Sequence, residues 1–176
     1  SLPVDEGHPK EPLSPYGLEK LTADHYCRLY AELYGLPTVA LRYFNVYGPR
    51  QTGGDYAGAI TAFSEQARGG GPLTVHGDGE QTRDFVNVAD VVRANMLAAT
   101  TNATGEAFNI GTGTETSINT VAETIRDHVD PSADLTHVDP REGDIRESVA
   151  EIEKAREQLG YEPTIELSDG LREYLG

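Results

Sequence analysis

Helical and extended hydrophobic periodicities alternate along this chain, and glycine or proline separates most of the segments that carry them. From 16 to 34 the apolar residues Leu18, Leu21, Tyr26, Leu29, Tyr30 and Leu33 recur at helical spacing, behind a start signal at Ser14-Pro15. Gly35 stops that helix and Pro37 prevents its resumption. The stretch 38–44 then reads as a buried strand, and 45–55 as a loop rich in Gly and Pro. Further helices are expected over 57–68, 88–100 with Asp90 in the first turn, 118–129 with Ser117 as cap, and 150–159, and Ser168 is expected to cap a last short helix. Short strands are expected over 73–76, 85–88 and 107–110, with 135–138 as an edge strand. Strands alternating with helices predict an α/β fold.

Composition narrows the function classes. Asp and Glu total 29 against 14 Lys and Arg, a net charge of -15 in 176 residues. Such a surface repels nucleic acid backbones, so no nucleic acid partner is expected. The acids are scattered rather than blocked, as in salt-adapted, halophilic proteins, where screening suppresses self-repulsion. No apolar run reaches membrane-spanning length, and the first dozen residues lack a signal-peptide pattern, so no membrane partner is expected. A single cysteine, Cys27, excludes an internal disulfide and fits a reduced, cytoplasmic compartment. None of the five histidines is spaced with another His or Cys as a metal pair, so no metal site is expected.

Four polar constellations stand out. Tyr16 and Lys20 lie one above the other on a helix face, where an ammonium stabilises a phenolate and makes the tyrosine a proton carrier near neutral pH. Read alone, such a pair is as readily an exposed surface contact. The strand of Arg42 and Tyr43 runs through Asn45 into a Gly-Pro turn, at the edge where open α/β sheets bind ligands. Arg83 follows the turn Gly77-Asp78-Gly79 and stands beside Asp84; it is either half of a surface pair or a bidentate phosphate grip. Arg141, Asp144 and Arg146 surround Gly143 and suit a diphosphate and a sugar hydroxyl, or merely balance charge. The glycine-rich stretches 69–71 and 111–113 read as turns in preference to phosphate cradles, because neither precedes a helix in a dinucleotide pattern.

In this order and spacing, the four stretches resemble the nucleotide-sugar epimerase/dehydratase branch of the extended short-chain dehydrogenase/reductase family, from Ser14 to the 160–163 segment. The segment 41–51 is most similar to that of UDP-glucose 4-epimerases. The resemblance implies the C-terminal part of a Rossmann-type doubly wound parallel sheet plus a smaller mixed α/β substrate-binding domain. Residues 1–50 would belong to the NAD-binding domain and 51–176 mainly to the substrate domain, with 84–111 returning to the first.

The roles implied are these. Tyr16 would be the acid/base on the sugar 4-hydroxyl, and Lys20 would tune it and bond the nicotinamide ribose of NAD. Tyr43 would lie beside the nicotinamide, and Asn45 would contact the substrate diphosphate. Thr74, Val75 and His76 would flank the uracil, with His76 where the family more often has Tyr or Phe. Arg83 and Arg141 would clamp the diphosphate, Asp144 would hold the ribose, and Ser148 would gate sugar size, its smallness leaving room for N-acetylhexosamines. The implied reaction is C4 epimerisation of a UDP-sugar through a transient 4-keto sugar. A dehydratase or decarboxylase of the same branch, or a non-catalytic nucleotide-sugar-binding half, are the alternatives. The family's Gly-rich turn, ribose-binding acid and catalytic Ser/Thr all precede its Tyr motif, and only fifteen residues precede Tyr16 here. The chain is therefore expected to bind NAD weakly or not at all on its own. Helix 16–34 would form the interface of a homodimer.

Overall fold

The structure is a computed structural model that describes residues 2–53 and 58–176. Helix α1 (Pro15–Tyr34) begins where Ser14 Oγ accepts the Gly17 N–H at 3.1 Å, and ends as the Gly35 N–H turns back to the Ala31 carbonyl. Strand β1 (Val39–Tyr43) follows, and β2 (Asn45–Tyr47) continues it after Phe44. The expected loop at 45–55 is thus corrected at its start: Asn45–Tyr47 pairs parallel with β5 (Phe85–Asn87), in the register Asn45 to Phe85. Three residues are too few to show an extended period in a sequence, so tertiary pairing decided them.

Between β2 and β5 lie α2 (Ala59–Arg68), β3 (Leu73–His76) and β4 (Thr82–Arg83). The expected helix 57–68 starts at Ala59, and Ala57 lies outside the described residues. Helix α3 (Val88–Ala98) is capped by Asn87, and β6 (Glu106–Ile110) then pairs parallel with β1. Strand β7 (Thr116–Ser117) pairs antiparallel with β4. Helix α4 (Ile118–Val129) has the expected cap, Ser117 Oγ accepting the Thr120 N–H at 3.1 Å. Strand β8 (Leu135–Val138) pairs parallel with β3.

The last two helices begin differently from expectation. Helix α5 (Glu153–Leu159) starts three residues late because Ala150 is drawn into a parallel bridge with Val4. Helix α6 (Leu167–Leu175) has Glu166, not Ser168, at its cap, and no side chain bonds there.

Two hydrophobic cores share strand β5. Phe85 joins Tyr47, Leu73, Val75, Val121, Ile125 and Leu171 in a core between α2, α4 and α6. Val86 joins Ala94, Phe108, Ile110 and Tyr161 in a second core between α3, α5 and β6. Successive strand residues point to opposite faces, so one three-residue strand belongs to both.

Helix α1 is attached by charge rather than by its apolar stripe. Asp24 is the buried residue on it, whereas Leu18, Tyr26, Leu29, Tyr30 and Leu33 remain exposed. Asp24 receives Arg42 Nε at 3.0 Å and Nη2 at 3.1 Å, and Arg42 Nη1 also donates to the Glu6 carbonyl at 2.9 Å. The fork links helix, strand β1 and the N-terminal segment.

Candidate active site

A cleft of about 990 Å³ opens between α1, the β1–β2 strand, α2, the turn before β4 and the 139–146 loop. Tyr16 and Lys20 stand on one wall, and the Lys20 ammonium sits over the Tyr16 ring, 5.0 Å from its centroid. The i, i+4 spacing produces the contact; the capped, Pro-led start of α1 places it at the helix end, where anions are favoured.

Opposite them, nucleotide-sized polar groups converge from elements far apart in sequence. Tyr43 and Asn45 come from the strand β1–β2, Thr74 and His76 from β3, Arg83 from β4, and Arg141 and Asp144 from the loop before α5. Asn45 is fixed through Asp84, whose carbonyl accepts its N–H at 2.9 Å and its Nδ2 at 3.3 Å. The Tyr43 hydroxyl donates to Asn95 Oδ1 on α3 at 3.0 Å, so its ring leans towards that helix. His76 Nδ1 lies 3.3 Å from the Asp139 carbonyl. A carbonyl only accepts, so Nδ1 is the donor in this contact.

Two expected site residues are not brought to the cleft wall. Val75 is fully buried in the core, because strand alternation turns it away from the side that Thr74 and His76 face. Ser148 lies half-buried beside the buried Val149 and is not among the residues that line the cleft.

The pairing around Arg83 also differs from the simplest sequence reading. Its neighbour Asp84 is not its partner. Arg83 pairs with Asp144, sixty-one positions away, and donates Nη1 to the Thr82 carbonyl at 2.7 Å. Asp84 is fully buried, and its carboxylate accepts Thr112 N–H and Oγ1 at 2.7 Å each, Gly113 N–H at 3.0 Å and Ala150 N–H at 3.2 Å. The stretch 111–113 is thus a turn, as its sequence suggests, and it closes around a carboxylate of the chain itself. A Cβ on Gly111 would stand 2.5 Å from Asp84 Oδ2 and 2.8 Å from Ala150 Cβ, which is why glycine is needed there.

The 139–146 loop is held from outside by a second arginine. Arg146 Nη1 bonds both oxygens of Asp78, at 2.7 and 3.0 Å, and this holds the Asp78 carboxyl below the usual carboxylate range. Sequence reading missed three amides in the cleft. Gln66 Oε1 accepts the Thr74 N–H at 3.0 Å and Gln81 Nε2 donates to the His76 carbonyl at 2.8 Å. Gln51 Oε1 is buried with no hydrogen-bond partner among the described residues. Gln51 directly follows the Asn45 motif and was within reach of motif reading; Gln66, on α2, carried no local signal.

The chain is similar to proteins already known. The model of the NAD dependent epimerase/dehydratase family matches residues 2–111. A Methanocaldococcus jannaschii protein provisionally named a UDP-glucose 4-epimerase is 44% identical over 171 residues, covering 97% of this chain and 55% of the relative. The solved UDP-glucose 4-epimerase of Thermotoga maritima with UDP-glucose has a TM-score of 0.93 at 40% identity, over 98% of this chain and 56% of that one. UDP-N-acetylglucosamine 4-epimerase from Methanobrevibacter ruminantium, in complex with UDP-N-acetylmuramic acid, has a TM-score of 0.93 at 36% identity, over 99% and 56%. The chain spans about half the length of the curated relatives it matches. With the family model matching well over half of its residues, this chain belongs to the NAD dependent epimerase/dehydratase family.

Proposed function

We propose that these residues supply the proton-transfer and substrate-gripping part of an NAD-dependent 4-epimerase acting on a UDP-hexose. One observation carries the reading: a Tyr-Lys pair on α1 and the Arg83, Arg141 and Asp144 group, more than sixty positions away, face a single cleft. Tyr16 holds and returns the proton of the sugar 4-hydroxyl, with the Lys20 ammonium over its ring. Arg83 and Arg141 bind the diphosphate, Asn45 adds an amide contact, and Asp144 accepts from the ribose hydroxyls. Thr74 and His76 border the base.

The chemistry that bound NAD would supply here is reversible hydride acceptance at the sugar 4-carbon. Lys20 and Tyr43, which both line the cleft, would hold its nicotinamide end, Lys20 at the ribose and Tyr43 beside the ring. The glycine turn 111–113, which follows β6, offers no place for its pyrophosphate, because the Asp84 carboxylate fills it. The cores support a division in which β1, β5, α3 and β6 form the NAD-binding side and α2, α4 and α6 the substrate side. The exposed ladder Tyr26, Tyr30 and Tyr34, with ring centroids 6.3 and 5.1 Å apart, supports a homodimer through α1.

Turnover is measured on a chain carrying these residues together with a dinucleotide-binding half, with UDP-glucose and NAD and analysis of product mass. An epimerase leaves the mass unchanged, whereas a dehydratase or decarboxylase lowers it. Tyr16→Phe and Lys20→Met each lower kcat by about a hundredfold or more. Unchanged kcat in Tyr16→Phe would refute the assignment. For the 176-residue chain alone, calorimetry is expected to show UDP binding tighter than NAD binding, and the reverse order would count against the reading.

A further inference from the structure

The arginine best placed to grip a diphosphate already has a partner. Arg83 is mostly buried at the cleft, its side chain 15% exposed, and its guanidinium pairs with the Asp144 carboxylate from the opposite loop. An incoming phosphate group therefore competes with a carboxylate for the same guanidinium. Asp144 cannot simply withdraw, because its loop is tethered: the Thr82 N–H donates to the Arg146 carbonyl at 2.9 Å, and Arg146 is locked to Asp78. A displaced Asp144 thus stays within reach of the bound anion.

We propose that Asp144 is a specificity-determining residue that rejects bare phosphates and admits only a diphosphate attached to a vicinal diol. The inference rests on the diphosphate reading of Arg83. Two charge effects set it. Taking Arg83 from Asp144 removes a charge-assisted pair, and the ligand's negative charge then stands beside an uncompensated carboxylate. Inorganic phosphate or pyrophosphate offers that carboxylate nothing in return. A nucleoside diphosphate offers two ribose hydroxyls, whose O–H groups donate to the carboxylate once Oδ1 leaves the guanidinium. The repulsive element against small anions and the attractive element for the nucleoside are the same side chain.

The test measures dissociation constants of the 176-residue chain for pyrophosphate and for UDP, by calorimetry, in the native protein and in Asp144→Asn, Asp144→Ser and Arg83→Met. Asn keeps the shape of Asp144 and removes its charge. In Asp144→Asn, pyrophosphate binds about three- to tenfold tighter while UDP binds about tenfold weaker, so the effects have opposite signs. Asp144→Ser shows the same pair of signs, and serves if the amide pairs anew with Arg83. Pyrophosphate binding unchanged or weakened in both Asp144 variants overturns the inference. UDP binding unaffected by Arg83→Met overturns the diphosphate reading itself, and so separates that failure from the failure of the Asp144 role. Absence of UDP binding to the native chain overturns both.

Discussion

Replacing Asp84 by Asn tests the claim that one buried carboxylate holds the cleft's floor together. Asp84 Oδ1 accepts two bonds from Thr112, and Oδ2 accepts the N–H groups of Gly113 and Ala150. Asparagine has almost the same shape, but whichever oxygen becomes NH2 then faces donors instead of receiving them. Two charge-assisted bonds are lost, each about 1.5–2 kcal/mol, and the stranded donors stay buried. The relief of removing a buried charge offsets part of this, leaving a net loss of about 3 kcal/mol. For a domain of this size that lowers Tm by roughly 6–12 °C. The measurement is a thermal melt followed by circular dichroism, at high salt, on the native chain and the variant. Because the Asp84 carbonyl also holds Asn45, weaker UDP binding should accompany the loss of stability. A Tm within about 2 °C of the native value would show that the Gly111–Gly113 turn does not depend on the carboxylate, and would refute this reasoning.

Four further outcomes are expected. Asp24→Ala should cost about 2–3 kcal/mol in urea denaturation, since it strands the half-buried Arg42, while Arg28→Ala costs under about 1 kcal/mol because Arg28 is 38% exposed. Gly170→Ala should destabilise by about 1–3 kcal/mol despite the better helix propensity of alanine, because a Cβ there would stand 2.1 Å from the Tyr47 hydroxyl. Asp78 has its folded pKa lowered by Arg146, so its contribution is present above the unfolded value and vanishes as pH falls through the lowered one. Its carboxyl carbon, followed by NMR, should titrate below the ordinary 3.8 and return towards it in Arg146→Met. Finally, with a net charge of -15, Tm should fall by more than about 10 °C on going from about 2 M to 0.1 M NaCl, and a flat salt response would count against a surface adapted to salt.

The contacts of the candidate site were legible in the sequence wherever a motif was local. Tyr16 and Lys20 are one helical turn apart, so their contact follows from the rise of an α-helix and needs no tertiary information. Ser14, Ser117 and Gly35 likewise mark helix ends through bonds to residues three or four positions away. Arg83 and Asp144 could be named as polar groups fit for a diphosphate, but not as partners of each other, because sixty-one residues of intervening fold set their meeting. Val75 was misplaced for a related reason: a motif names a segment, and only the direction of the strand decides which of its side chains reach the cleft.

The sequence by itself determined the alternation of helices and strands, the caps and the identities of most groups that can carry chemistry. These depend on backbone geometry and on neighbours within one turn. The tertiary structure alone decided that Asn45–Tyr47 is a strand, that Asp84 fills the glycine turn, and that α1 is docked through Asp24 while its apolar stripe faces outward. Each of these rests on a long-range contact whose strength comes from burial, and burial is a property of the packed chain rather than of any segment within it.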